Sequence, residues 1–239
     1  KIHSCFLPFM RFVDYLCPQF IKRKMKTTNK LYLSLLLLPC IVTLSAQNSY
    51  QKATEMQKKE ITDNIRRVAR EIKTLKADFT QVKELSFMKD QVTSEGKMLY
   101  KPNDKIRWEY TRPYAYVFAM DGDNVRMTSG GKTNKIPVKG SKLFTEISRV
   151  MIGGVSGAGL IDSPDFTTQF MVGKSDCKIM LTPRKKEVKD LFSSIQLYVD
   201  RSDSRIRRVE LIEKSGDKTI ITLKNIQLNT PVDDSVFAH

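Results

Sequence analysis

The chain has 239 residues, with 41 Lys and Arg against 26 Asp and Glu, a formal charge of +15, and room for one substantial domain. Its two histidines, His3 and His239, sit at the chain ends, and its four cysteines, Cys5, Cys17, Cys40 and Cys177, have no metal-ligand spacing. A His-dependent triad or a Cys/His zinc site in the body of the protein is therefore excluded. Ahead of Gln47 stand seven basic residues and one acid, so the remainder sets 34 basic residues against 25 acidic ones, about +9. The basic residues are spread over many segments, with no run of five or six after Met25. That pattern describes an alkaline soluble surface as well as it describes a site for nucleic acid, an anionic membrane or an acidic partner.

Residues 1–24 lack an initiating methionine and mix aromatics, prolines and cysteines without period, which reads as an upstream extension outside the true protein. Met25–Lys30 is a basic n-region, Leu31–Leu38 opens an apolar stretch that continues through Ile41 and Val42, and Ala46 is a small residue before Gln47. This predicts a cleaved signal peptide over 25–46 and a mature single domain over 47–239. The apolar stretch is interrupted by Pro39 and is shorter than the about 20 residues that cross a bilayer. Pro39 ahead of Cys40 fits a lipoprotein cleavage box poorly.

Gln51–Leu75 predicts an amphipathic helix, since Met56, Ile61, Ile65, Val68, Ile72 and Leu75 recur at three- and four-residue intervals. Lys76–Leu85 predicts a strand carrying Phe79, and Val92 restarts strand structure. A meander follows: Gly96–Lys101, a turn at Pro102-Asn103-Asp104, Lys105–Tyr110, a break at Thr111-Arg112-Pro113, then Tyr114–Met120. Asp121-Gly122-Asp123-Asn124 is a hairpin signal leading into Val125–Met127. Ile106, Trp108 and Tyr110 alternate with Arg107, Glu109 and Thr111, giving one apolar and one polar face. The only tryptophan lies on the apolar one.

Thr133–Val138 predicts another strand. Ser141–Ile152 predicts a short helix from the spacing of Leu143, Ile147, Val150 and Met151. Gly153–Gly159 follows a helix rather than a strand and lacks a Gly-Lys-Ser/Thr ending, so it reads as a flexible hinge rather than a phosphate loop. Phe166–Val172, Cys177–Thr182, Phe192–Val199, Ile206–Glu213 and Thr219–Leu228 predict five more strands. Simple alternation puts Ile206, Arg208, Glu210 and Ile212 on one face of their strand, and Arg207, Val209, Leu211 and Glu213 on the other. Many strands with no crossover helices predict a mainly β (α+β) fold: one curved antiparallel sheet, curled or barrel-like.

The candidate acids, Asp121, Asp123, Asp162, Asp165, Asp200 and Asp203, all sit in turn-like segments, where aspartate hydrogen-bonds its own backbone. No twelve-residue calcium loop and no Gly-x-Ser-x-Gly elbow is present. No constellation for catalysis, metal or cofactor emerges, so the expectation is a binding protein and not an enzyme. An exported, curved sheet with one aromatic-lined face suits an apolar ligand.

Several stretches resemble the LolA family of periplasmic lipoprotein carriers: Leu75-Lys76-Ala77-Asp78-Phe79-Thr80-Gln81, Gly96 with Leu99-Tyr100-Lys101-Pro102, Arg107-Trp108-Glu109-Tyr110, Pro113, Asp121-Gly122, Leu181-Thr182-Pro183 and Val236-Phe237. The resemblance implies an unclosed β-barrel whose hydrophobic concavity is covered by the N-terminal helix and a short lid helix at Ser141–Ile152. It implies a periplasmic monomer that takes lipoprotein acyl chains from an inner-membrane lipoprotein-releasing ABC transporter to an outer-membrane acceptor that the sequence does not identify. It has no place for nucleic acid. By alternation Phe79, Met98, Tyr100, Ile106, Trp108 and Tyr110 are expected to line the concavity, or to be ordinary core, with Ile147 and Met151 on the lid. Where the family has an arginine that latches the lid, this chain has Lys101, which keeps the charge without the bidentate fork. A carrier of another amphiphile, such as a glycolipid, and a lipid-sensing regulatory module on the same fold are the competing readings.

Overall fold

The computed structural model describes residues 50–87, 91–136, 142–157 and 159–238. The expected extension over 1–24 and signal over 25–46 lie outside the described residues. The strands are β1 (Gln51–Lys52), β2 (Leu75–Glu84), β3 (Gln91–Lys101), β4 (Lys105–Arg112), β5 (Tyr116–Asp121), β6 (Asn124–Ser129) and β7 (Lys132–Ile136), followed by β8 (Phe166–Val172), β9 (Asp176–Pro183), β10 (Phe192–Asp200), β11 (Ile206–Glu213) and β12 (Lys218–Leu228). The helices are α1 (Glu55–Glu71), α2 (Lys142–Ser156), α3 (Lys186–Lys189) and α4 (Ser235–Ala238).

All twelve strands form one sheet in the order β1-β8-β9-β10-β11-β12-β2-β3-β4-β5-β6-β7. Every pairing is antiparallel. Two meanders, β2–β7 and β8–β12, are joined by the long β12–β2 ladder. β1 and β7 end the sheet unpaired with each other, so the barrel is unclosed, as expected. Alternation is the cause of the strands: β2 reads LKADFTQVKE with every second side chain buried.

The N-terminal helix is shorter than the predicted Gln51–Leu75. Thr54 and Gln57 form a reciprocal capping box, with Gln57 N donating to Thr54 Oγ1 at 3.2 Å and Thr54 N to Gln57 Oε1 at 2.9 Å, and this starts α1 at Glu55. Gln51 and Lys52 instead pair with Val172 and Met171. At the other end Asn229 accepts from Lys73 N at 2.7 Å and donates to Glu71 O at 3.1 Å, which ends α1 before Leu75 enters β2. Ile65, Val68 and Ile72 are buried, each worth about 1.5–3 kcal/mol.

Two further expectations change. Gly153 and Gly154 belong to α2 and not to a hinge; a Cβ on Gly154 would meet Val209 at 3.6 Å, an ordinary contact distance, so this face of the helix lies against β11. The helix stops at Gly157 (φ +78), whose N donates to Gly153 O at 2.8 Å. In β11, Val199 pairs with Ile206 but Tyr198 pairs with Arg208. Arg207 is thus a bulge, which puts Ile206 on the same face as Val209 rather than opposite it. A second bulge at Thr111 lets β4 run on to Arg112, beyond the predicted break.

Candidate functional site

Register assembles one continuous buried face. Leu75, Ala77 and Phe79 on β2 lie opposite Tyr100, Met98 and Gly96 on β3. Those three lie opposite Ile106, Trp108 and Tyr110 on β4, which in turn face Met120, Phe118 and Tyr116 on β5. On the other side Phe79 pairs with Leu223, and across β11, β10 and β9 the face continues through Val209, Leu197 and Ile179. Met98, Ile106, Ile179, Leu181, Ile195 and Leu197 are wholly buried.

The aromatic centre is tightly built. Phe79 lies 4.9 Å from Trp108 in a tilted arrangement and 5.0 Å from Tyr110 edge to face, and Tyr110 lies 6.0 Å from Tyr116. Such pairs contribute about 0.5–1.5 kcal/mol each beyond area burial. Gly96 makes the crowding possible, having no side chain where β3, β4 and Phe79 converge. Tyr110 Oη donates to Gln81 Oε1 at 2.9 Å. Burial, reinforced by the neighbouring Tyr116, pushes the Tyr110 hydroxyl far above its ordinary range, and burial does the same to Tyr116. Burial also raises Tyr100, against the opposing effect of its bond with Ser156. These tyrosines stay uncharged at neutral pH. Trp108 Nε1 is buried with no hydrogen-bond partner among the described residues.

The cover over this face comes from helices and a loop. Ser156 of α2 meets Tyr100 on β3, while Gly154 meets Val209 on β11. Gly157 approaches Ile65 of α1 and Ile206 of β11. Leu160 and Ile161, just beyond α2, are buried, and Ile161 O accepts from Thr168 Oγ1 at 3.3 Å. An ionic network ties α2 down: Glu146 is buried, accepts from Arg149 Nη2 at 2.6 Å and also pairs with Lys185 next to α3. Arg149 Nη1 reaches Asp165 Oδ2 and Ser163 Oγ, both at 2.8 Å. Glu146→Gln keeps the shape but removes the carboxylate charge from Lys185. Amide exchange in α2 should accelerate about tenfold, a local loss of about 1–2 kcal/mol, while β9 and β10 keep their protection. Unchanged exchange in α2 would mean that the network carries no weight.

The expected lining residues Phe79, Met98, Tyr100, Ile106, Trp108 and Tyr110 all fall on the one buried face. Met151 is half-buried on α2; Ile147 lies in α2 with its side chain outside the description. Lys101 points elsewhere: it pairs with Asp234, which also accepts from Lys105 Nζ at 3.0 Å. These bonds, Lys101 first, hold the Asp234 carboxyl below the usual range and fasten the C-terminal segment to the β3–β4 turn. Sequence reasoning missed Tyr116, Phe118 and Met120, because the residues between them, Val117 and Ala119, are apolar too and hide the alternation that β4 shows. It also missed Leu160 and Ile161, whose only local signal is a pair of apolar residues in a glycine-rich connection.

An outer-membrane lipoprotein carrier protein from Chromohalobacter salexigens is 25% identical over 144 residues, 60% of this chain and 65% of its own length, so the chain spans just under two thirds of that relative. One of the same description from Cupriavidus taiwanensis is 23% identical over 188 residues, 74% of this chain and 82% of its own length. The crystal structure of a LolA superfamily protein from Nitrosomonas europaea is 12% identical with a TM-score of 0.41, covering 75% of this chain and 96% of that one. Residues 70–239 match the family model described as outer membrane lipoprotein carrier protein LolA, and with well over half its length so matched, the chain belongs to the LolA family.

Proposed function

We propose that this chain is a periplasmic carrier that holds the acyl chains of lipoproteins on its concave face and ferries them from the inner to the outer membrane. The observation that supports this reading is the nature of the cover. Met98, Ile106, Ile179, Leu181, Ile195 and Leu197, all wholly buried, lie on one face of a sheet, closed by α1, α2 and the segment around Leu160 rather than by a second sheet. Elements attached by side chains and short loops separate from a sheet without breaking its ladder. Each methylene moved out of water contributes about 0.8 kcal/mol. Loading also has to displace Val150, Val155, Leu160 and Ile161, all buried here. Net affinity is then the difference between two apolar contacts, which keeps loading reversible. An inner-membrane lipoprotein-releasing transporter is the donor in this reading, and a monomer is sufficient. No catalytic group is required.

The test is mass spectrometry of what co-purifies with the exported protein. Triacylated lipoprotein in a one-to-one complex is the expected result. Free glycolipid or phospholipid would assign another cargo. A protein that stays empty after mixing with solubilised lipoproteins would overturn the carrier reading.

A further inference from the structure

The buried face changes character along its strands. On β2 the buried side chains run Leu75, Ala77, Phe79, Gln81, Lys83. The β3 partners of the first four are Tyr100, Met98, Gly96 and Ser94, and Phe79, Gln81 and Lys83 face Leu223, Ile221 and Thr219 on β12. The end beside the β3–β4 turn is apolar. The opposite end gathers Gln81, Lys83, Ser94 and Thr219, all buried.

This polar end is poorly explained by stability. Lys83, 2% exposed, lies with its Nζ 2.5 Å from Glu213 Oε1. A buried ion pair is often no more stabilising than apolar side chains of the same volume. Three neutral groups beside it hold donors in reserve. Gln81 uses its Oε1 to accept from Tyr110, and among the described residues its amide nitrogen makes no hydrogen bond; nor do the side-chain hydroxyls of Ser94 and Thr219. An ammonium, an amide and two hydroxyls at one end of an apolar face complement a ligand that is rich in acceptors at one end and hydrocarbon elsewhere.

We propose that Gln81, Lys83, Ser94 and Thr219 form a head-group subsite for the ester and amide carbonyls that join acyl chains to their polar head. The subsite gives the ligand a direction: carbonyls toward Lys83, chain termini toward Tyr100 and Ile106. Reversed insertion leaves the carbonyls among apolar side chains and hydrocarbon against an ion pair, both unfavourable. The inference rests on the carrier reading and deepens it.

Trp108, the only tryptophan, reports the direction. It lies opposite Met98, in the second row from the apolar end. The probes are two synthetic acylated peptides, amide-linked, with a nitroxide either beside the carbonyl or at the chain terminus. In the full-length mature protein the terminal nitroxide quenches Trp108 more strongly. The double substitution Lys83→Met with Glu213→Leu, which replaces the ion pair by apolar bulk, preserves folding. It abolishes the asymmetry and weakens acylated-peptide binding about tenfold, the loss of the polar environment at the head-group end. Equal or reversed quenching with binding intact overturns the subsite alone, as does an asymmetry unchanged in the double variant. Saturating probe that quenches in neither position overturns the carrier reading together with it.

Discussion

Gly96→Ala lowers the melting temperature by about 10–15 °C, a loss of about 3–5 kcal/mol at roughly 2–4 °C per kcal/mol for a domain of this size. The reason is steric. A Cβ at this position would stand 1.9 Å from Glu109 O and 2.8 Å from Phe79 Cε1. The first contact is backbone on the adjacent strand, inside the β3–β4 ladder, so it cannot turn away as a flexible side chain would. The second is the ring that packs against Trp108 and Tyr110. Relief needs the strands to part or the aromatic cluster to shift, and both weaken the face on which function is proposed. A thermal melt followed by circular dichroism decides it. A fall of only a degree or two would show that the approach of β3 to β4 relaxes easily and that glycine is incidental there.

Trp108→Ala and Phe237→Ala, compared side by side, separate ligand contact from ordinary core. Both residues are buried, Trp108 at 4% exposure and Phe237 at 0%. Either truncation is expected to lose about 3–5 kcal/mol of stability. Their positions differ. Trp108 lies on the concave face between Met98 and Phe118. Phe237 belongs to α4, which packs on β4 and β5 from the other side, where Arg107 Nη1 donates to Val236 O at 3.1 Å and Arg126 donates to Ala238 O. At a temperature where both variants remain folded, Trp108→Ala should bind an acyl probe about tenfold more weakly, a difference of about 1.4 kcal/mol, while Phe237→Ala binds like the parent protein. Equal weakening in both would make Trp108 core and nothing more.

The sheet was legible because alternation is a local property. Phe166–Val172 and Ile206–Glu213 are strands at the predicted residues, and the β4 face carrying Trp108 is the buried one. Apart from the start of α1, which the local Thr54–Gln57 capping box sets, the departures come from information held elsewhere in the chain. Gln51 and Lys52 are strand because Val172 and Met171 offer them a partner more than a hundred residues away. Gly153 and Gly154 are helical although glycine is a poor helix former, because the face of α2 that carries Gly154 packs against Val209 of β11. The faces of β11 exchange at Arg207 because its neighbour β10 is one residue shorter at that point. The site was legible to the same degree. Aromatics on β4 marked the face, but the Lys83–Glu213 pair joins two strands separated by β12 in the sheet, and no sequence spacing announces it.

The unjoined ends of the sheet have a mechanical consequence. A closed barrel has a girth fixed by strand number and stagger, and it widens only by breaking ladder hydrogen bonds. Here β1 and β7 form a seam, so the sheet can uncurl and enlarge the enclosed volume with every backbone pair intact. An open seam invites pairing with another chain, but β1 offers only two residues, and β7 carries Lys132 and Lys135 on an exposed strand. The same sheet can thus change its bore without exposing a long sticky edge.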